Sequence, residues 1–275
     1  MIWPNKKRIA VMPAFDLDAE TMWTTHGEGS RNHMTDLSRG AYGPKQGVPR
    51  ILKMLDIYGV KATFFIPGVI AEKYPDVVRE ISRRGHEIGF HGYLHEEFPD
   101  TTYEEEDATM TRSEKIIYDL TGQKIVGHRG PGGVIHDYSL KLFLEHGYIY
   151  STNWRDRDGP FIHRIDGKEV PLVELPKDSI FDDTAYDFYT DSAPERYELK
   201  SPGEMFEIWK DEFDSLALEG RMINFVLHPQ FIGRVSRVNM LSDLIGYMLS
   251  NGAWIDTNRS VAQYVLDHRE LLSKF

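Results

Sequence analysis

Eight short apolar runs recur along the chain: "RIAVMPAF", "KATFFI", "HEIGFH", "KIVGH", "GYIYST", "PLVEL", "INFVLH" and "GAWIDT". Most are continuous rather than alternating, as in strands buried on both faces of a parallel sheet. Helical spacing fills the intervals. Val48, Ile51, Leu52 and Leu55 share one face of a helix that stops at Gly59. Thr102 and Glu105 form a capping box ahead of a second helix closing at Gly122, and Ser201, Pro202 and Glu204 open a third that ends at Gly220. Strands alternating with helices predict a parallel α/β fold, and their number favours a barrel over an open sheet. No shift of composition divides the chain, so one domain over residues 1–275 is expected.

Three long segments interrupt this rhythm: Ala19 to Gln46, Asn153 to Val170, and Lys177 to Pro202. Each follows the C-terminal end of a predicted strand, where parallel α/β folds place their active sites.

Composition narrows the function. A formal net charge of -11 argues against a nucleic-acid or anionic-membrane partner, and no cluster of Lys and Arg reverses that. Cysteine is absent, so any metal must be held by His, Asp or Glu. No stretch approaches the roughly 20 apolar residues of a membrane helix, and "MIWPNKKRIAVMPAF" lacks a signal-peptide core, which together predict a soluble, cytoplasmic protein.

Four places carry candidate chemistry. "AFDLDAE" puts Asp16 and Asp18 on one side of the first strand's end. Two carboxylates this close call for a cation, a shared proton or an Arg partner, although a solvated turn also uses such residues. "HGYLHEEF" spaces His91 and His95 so that two imidazoles on a helical turn face one point, a spacing equally common in exposed histidines. "GHRGPGG" delivers Arg129 in a Gly- and Pro-rich turn, to pair with a carboxylate or an anionic ligand or simply to be solvated. "INFVLHPQ" ends an apolar strand on His228, a candidate acid or base with an ordinary rim histidine as the alternative. What joins them is placement, since all six residues fall at the same end of one parallel sheet.

"FDLD", "HGYLH", "RGP" and "LHP", in that order, resemble the polysaccharide deacetylase family (carbohydrate esterase family 4), and the resemblance covers nearly the whole chain. It is closest to the intracellular branch of Helicobacter peptidoglycan deacetylase-like proteins and cyclic imide hydrolases. It implies a distorted parallel (β/α) barrel of 7–8 strands, with Asp18, His91 and His95 as metal ligands. It also implies Asp16 as catalytic base, Arg129 as its tether and His228 as general acid. The cofactor implied is one divalent metal, zinc first, with Co, Ni, Mn or Fe as alternatives. Leu17 separates two aspartates that are adjacent in most of the family, and "RGPGG" lacks the aromatic or acidic residue that often follows that proline. Cofactor-free allantoinases in the family have lost metal ligands, whereas all three are kept here.

The resemblance implies hydrolysis of a non-peptide amide, with N-deacetylation of an N-acetylated sugar or oligosaccharide ahead of opening a small cyclic imide or amide. It further implies a homo-oligomer such as a tetramer. Trp23, Trp154, Asp158 and Asp183 are the expected substrate contacts. Phe161, Phe181, Tyr186, Phe188 and Tyr189 are further aromatics that would roof a pocket or pack the barrel rim. Glu96 and Glu97 read as groups that orient the histidine loop.

Overall fold

The computed structural model describes residues 3–24, 34–96, 101–187 and 199–275. Among these lie ten short strands, nine of them in the apolar runs. They are β1 (Ile9–Met12), β2 (Ala14–Asp16), β3 (Thr63–Ile66), β4 (Glu87–Phe90) and β5 (Gly127–His128). Then come β6 (Tyr150–Ser151), β7 (Phe161–Ile165), β8 (Lys168–Glu174), β9 (Met222–Asn224) and β10 (Ala253–Ile255).

The first run is two strands because Pro13 has no N–H to give a ladder. The break also lets the chain change neighbours: β1 lies between β10 and β9, while β2 pairs with β3. From β2 the ladder continues β3-β4-β5-β6-β8-β7, parallel throughout except for the antiparallel β7–β8 pair. On its other side, Phe15 bridges Leu227 and Val226 bridges Asp182. The parallel α/β expectation therefore holds. No ladder among the described residues joins β8 to the Asp182 segment, which leaves a seam there. Asn224 spans that seam instead, its Nδ2 donating to Leu175 O at 3.0 Å and Thr152 Oγ1 at 2.8 Å.

β7, the turn and the first residues of β8 fall inside the segment Asn153 to Val170, read above as a loop, while the rest of β8 is the predicted run "PLVEL". The turn is Asp166–Gly167, with φ of +50° and +76°, the left-handed pair that a two-residue hairpin requires. Asp-Gly between "FIHRI" and "KEVPLVE" is a legible hairpin signal that the count of buried parallel strands passes over.

The three predicted helices form with their predicted ends. Val48–Tyr58 buries Val48, Ile51, Leu52, Met54 and Leu55, each worth roughly 1.5–3 kcal/mol on burial, and stops at Gly59. Tyr103–Thr121 and Pro202–Glu219 each begin with both halves of a capping box and end on a left-handed glycine, Gly122 and Gly220. No helix among the described residues is long and apolar enough to cross a membrane.

Two glycines set how closely the outer helices approach the strand ends. A Cβ on Gly47 would lie 2.1 Å from Pro229 O, and one on Gly40 would lie 2.5 Å from Ala19 O. Backbone thus packs directly on the loops that follow Asp18 and His228, with no side chain between.

Candidate metal centre and catalytic site

Parallel strands bring their C-terminal ends to one rim, so residues far apart in sequence converge there. Asp16 closes β2, its N–H bonded to Leu227 O at 2.8 Å. His91 follows β4, Arg129 follows β5 and bonds back to Phe90 O at 3.1 Å, and His228 ends the run that continues β9. Asp18 is reached one alternation past Asp16. All six candidate residues, His95 among them, are buried.

The histidine loop is not the helical turn that its spacing predicts. Residues 91–96 form no helix; Gly92 and His95 are both left-handed, with φ of +75° and +65°. The Glu96 carboxylate holds this shape, accepting from Tyr93 N at 2.9 Å and Leu94 N at 2.8 Å. Ser113 on the helix Tyr103–Thr121 anchors it by donating to Gly92 O at 3.1 Å. Glu97 lies outside the described residues.

Asp18 faces both imidazoles. Its Oδ1 is 3.2 Å from His91 Nε2, and its Oδ2 is 3.6 Å from His95 Nε2 and 3.5 Å from His228 Nε2. His91 Nδ1 lies 2.7 Å from Arg129 O, and because a carbonyl only accepts, Nδ1 carries the proton and Nε2 presents a lone pair. Both Asp18 oxygens are buried without a hydrogen-bond partner. Lone pairs of a carboxylate and an imidazole turned on one point repel unless a cation sits there, so Asp18, His91 and His95 fit a divalent metal. Burial works to raise the Asp18 pKa, but His95 and then His91 outweigh it and hold the carboxyl well below its usual range. Burial pushes His95 down to about 4, leaving a neutral imidazole able to ligate.

On one side stands the pair Asp16–Arg129. Arg129 Nη1 donates to Asp16 Oδ1 at 2.7 Å, while Nη2 donates to Asn224 Oδ1 at 3.0 Å and Phe225 O at 3.1 Å. Its guanidinium also lies 4.4 Å over the Phe65 ring. Burial would raise the pKa of Asp16; Arg129, then His91 and His228, reverse this and keep it lowered. Asn224 was not anticipated, although a polar residue inside the apolar "MINFVLH" was a visible anomaly.

On the other side His228 Nδ1 meets Asp183 Oδ1 at 2.6 Å, and Asp183 Oδ2 accepts from the backbone N–H of His228 at 2.8 Å and of Ile232 at 3.2 Å. Burial acts to discharge His228, but Asp183 overrides it and pushes the imidazole up to about 10. Burial raises Asp183 to about 6. The two form an ion pair at neutral pH that orients the ring and points Nε2 at the cluster.

Asp183 was expected to touch substrate. It is fully buried with both oxygens engaged as described, so its place is behind His228. Asp158 is not brought to the cluster: it is exposed, and its carbonyl accepts from Met222 N at 3.3 Å, at the start of β9 rather than its catalytic end. Trp23 is buried with its ring 6.0 Å from Phe231, which in turn edges the His228 ring at 6.1 Å. Trp154 is half-buried against His163 and lines an open cleft of about 410 Å³ with Gly133, Ile135, His136 and Asn153. Phe181 and Tyr186 pack edge-on against Phe225 and Trp209, the rim-packing alternative, and Phe161 lies edge-on to Trp154. Phe188 and Tyr189 lie outside the described residues.

Comparison with known proteins agrees with this geometry. The family model for polysaccharide deacetylase matches residues 41–151, which include His91, His95 and Arg129. The peptidoglycan deacetylase of Helicobacter pylori is 28% identical over 266 residues, covering 88% of this chain and 90% of its own. The structure of PuuE allantoinase superposes with a TM-score of 0.83 at 25% identity, over 97% of this chain and 93% of that one. A Mycobacterium smegmatis protein assigned to the polysaccharide deacetylases superposes with a TM-score of 0.92 at 31% identity, over 97% of this chain and 93% of its own. Likeness of that extent in both sequence and backbone reaches past the fold, and this chain belongs to the polysaccharide deacetylase family.

Proposed function

We propose that the protein is a metal-dependent hydrolase that removes the acetyl group from an N-acetylated amino sugar or its oligosaccharide. The observation that carries this reading is Asp18, whose two unpartnered buried oxygens face His91 and His95 between a tethered carboxylate and a carboxylate-backed histidine. The relative from Helicobacter, a peptidoglycan deacetylase matched along most of both chains, supports the same substrate class.

Asp18, His91 and His95 would hold the metal, zinc being the first choice for an O,N,N donor set, with Co, Ni, Mn or Fe also compatible. When bound, the metal supplies Lewis acidity, polarising a carbonyl and acidifying water. Asp16 then accepts the proton of the attacking water: it is ionised, and its Oδ2 sits 3.9 Å from His91 Nε2 while Arg129 occupies Oδ1. Arg129, fixed in turn by Asn224 and Phe225 O, keeps that carboxylate charged and aimed. His228 donates the proton from Nε2 to the departing nitrogen, and Asp183 on Nδ1 keeps it protonated until then. Without that proton an amine anion would have to leave.

A second reading, opening of a small cyclic amide, draws on the superposition with an allantoinase. The two separate by product. Metal-loaded protein is offered N-acetylated chitooligosaccharides, succinimide and allantoin side by side, and acetate release from the sugars at the highest kcat/KM is expected. Ring opening without acetate release would replace the first reading with the second.

Substituting Asp183→Asn is expected to lower kcat by about 10–100-fold, the usual loss when a group that orients an active-site histidine is removed. With the carboxylate gone, burial dominates and the His228 pKa falls. The alkaline limb of kcat/KM should therefore move to lower pH in a pH-rate profile of the metal-saturated variant. An unmoved limb would show that His228 is not the acid.

A further inference from the structure

The seam between β8 and β9, which Asn224 spans, also holds a small polar pit of about 40 Å³. Lys177, Arg155, Arg157 and Asn224 line it together with Asp158 and Asp178. That volume holds about two or three waters or one small oxyanion.

Lys177 is the unexplained residue. Only 9% of it is exposed, yet among the described residues its Nζ has no hydrogen-bond or ion-pair partner. Burying an ammonium without a counter-charge is costly, and such groups are normally paired. The carboxylates that attract it, Asp16 and Asp182, form no ion pair with it, and Asp182 is engaged by Thr184, whose N–H donates to Oδ1 at 2.9 Å. A Cβ placed on Gly133 would lie 3.3 Å from Lys177 Nζ and 2.5 Å from Arg155 Nη2, so two cations converge beside the Gly132–Gly133 backbone. Arg155 Nη2 donates to Gly132 O at 3.3 Å and is otherwise open. Nearby acids are occupied: Asp16 by Arg129, and Asp178 by the N–H of Ile180 at 2.9 Å. Arg157 pairs with Asp156 at 3.0 Å. Burial, then the charge of Arg129, presses the Lys177 pKa down to about 8, against partial offsets from Asp16 and Asp182.

We propose that this seam pit binds a small oxyanion, a carboxylate or phosphate group, with Lys177 as its principal ligand and Arg155 at its mouth. The pit is separate from the metal cluster but linked to it, because Asn224 lines the pit and accepts from the same Arg129 that tethers Asp16. The anion is either free in solution or carried on a larger ligand, and the two differ in what else must bind.

Calorimetric titration of the metal-loaded full chain tests this without relying on turnover. Inorganic phosphate and acetate are the free probes, with chloride matching ionic strength, and a carboxylate-bearing N-acetylated amino sugar is compared with its neutral counterpart. Phosphate or acetate should bind the wild type, and Lys177→Met should weaken that binding by about 10–100-fold, the worth of a charge-assisted hydrogen bond. A preference for the carboxylated sugar that disappears in Lys177→Met identifies a ligand-borne anion; equal binding of both sugars identifies a free one. Should Lys177→Met fail to fold, Arg155→Gln, at an exposed position, decides alone, with about 3–10-fold weaker binding expected. No anion binding by the wild type, or binding unchanged in the variant that decides, overturns the proposal.

Discussion

Asp18→Ala is expected to leave a folded protein that holds no divalent metal above background and whose kcat falls by about 1000-fold or more, since electrostatic support of the developing oxyanion is alone worth about 100–1000-fold. The substitution removes the only carboxylate of the Asp18, His91 and His95 set. Two imidazoles on a loop held open by Gly92 and His95 then remain, without the negative charge that offsets dehydration of a dication. Metal analysis after gel filtration, a far-UV circular dichroism spectrum and an acetate-release assay form the test. A variant that keeps stoichiometric metal would remove Asp18 from the ligand set.

Asp16→Asn is expected to behave oppositely toward the metal. Full metal content should be retained while kcat drops by about 100–10,000-fold, the range for loss of a general base. The amide has the shape of the carboxylate and still accepts from Arg129 Nη1, so the pocket is preserved and only the proton acceptor is lost. The loss should fall on kcat, with KM little changed, because Asp16 acts as the bond is made rather than as substrate binds. In the wild type the lowered Asp16 pKa implies an acid limb below the ordinary carboxylate range, set against burial by Arg129. If Asp16→Asn also loses metal, Asp16 is a ligand and the division between two aspartates fails.

That division illustrates how much was legible in the order of residues. Strands, helix caps and the shared rim follow from local rules, and they hold: Thr102 with Glu105 and Ser201 with Glu204 close both capping boxes, and Asp16, Asp18, His91, His95, Arg129 and His228 converge. Placements that no local rule reaches depend on register between distant strands. Asp183 stands behind His228 because Asp182 bridges Val226, a pairing of residues 44 apart that no local pattern announces. Asp158 and Trp154 are four residues apart in one loop, yet that loop runs back along the barrel, so Trp154 lines the open cleft while Asp158 reaches the start of β9. The His91–His95 spacing suggested a helix, but Gly92 and the carboxylate of Glu96 offer the loop hydrogen bonds that a helix would not use.

The measurement that bears most directly on the account is acetate release from an N-acetylated chitooligosaccharide as zinc is titrated into protein stripped with a chelator. Activity should be absent at the start, rise linearly and break at one metal per chain, with Asp18→Ala showing no rise at any ratio. Full turnover by the stripped wild-type protein would contradict it.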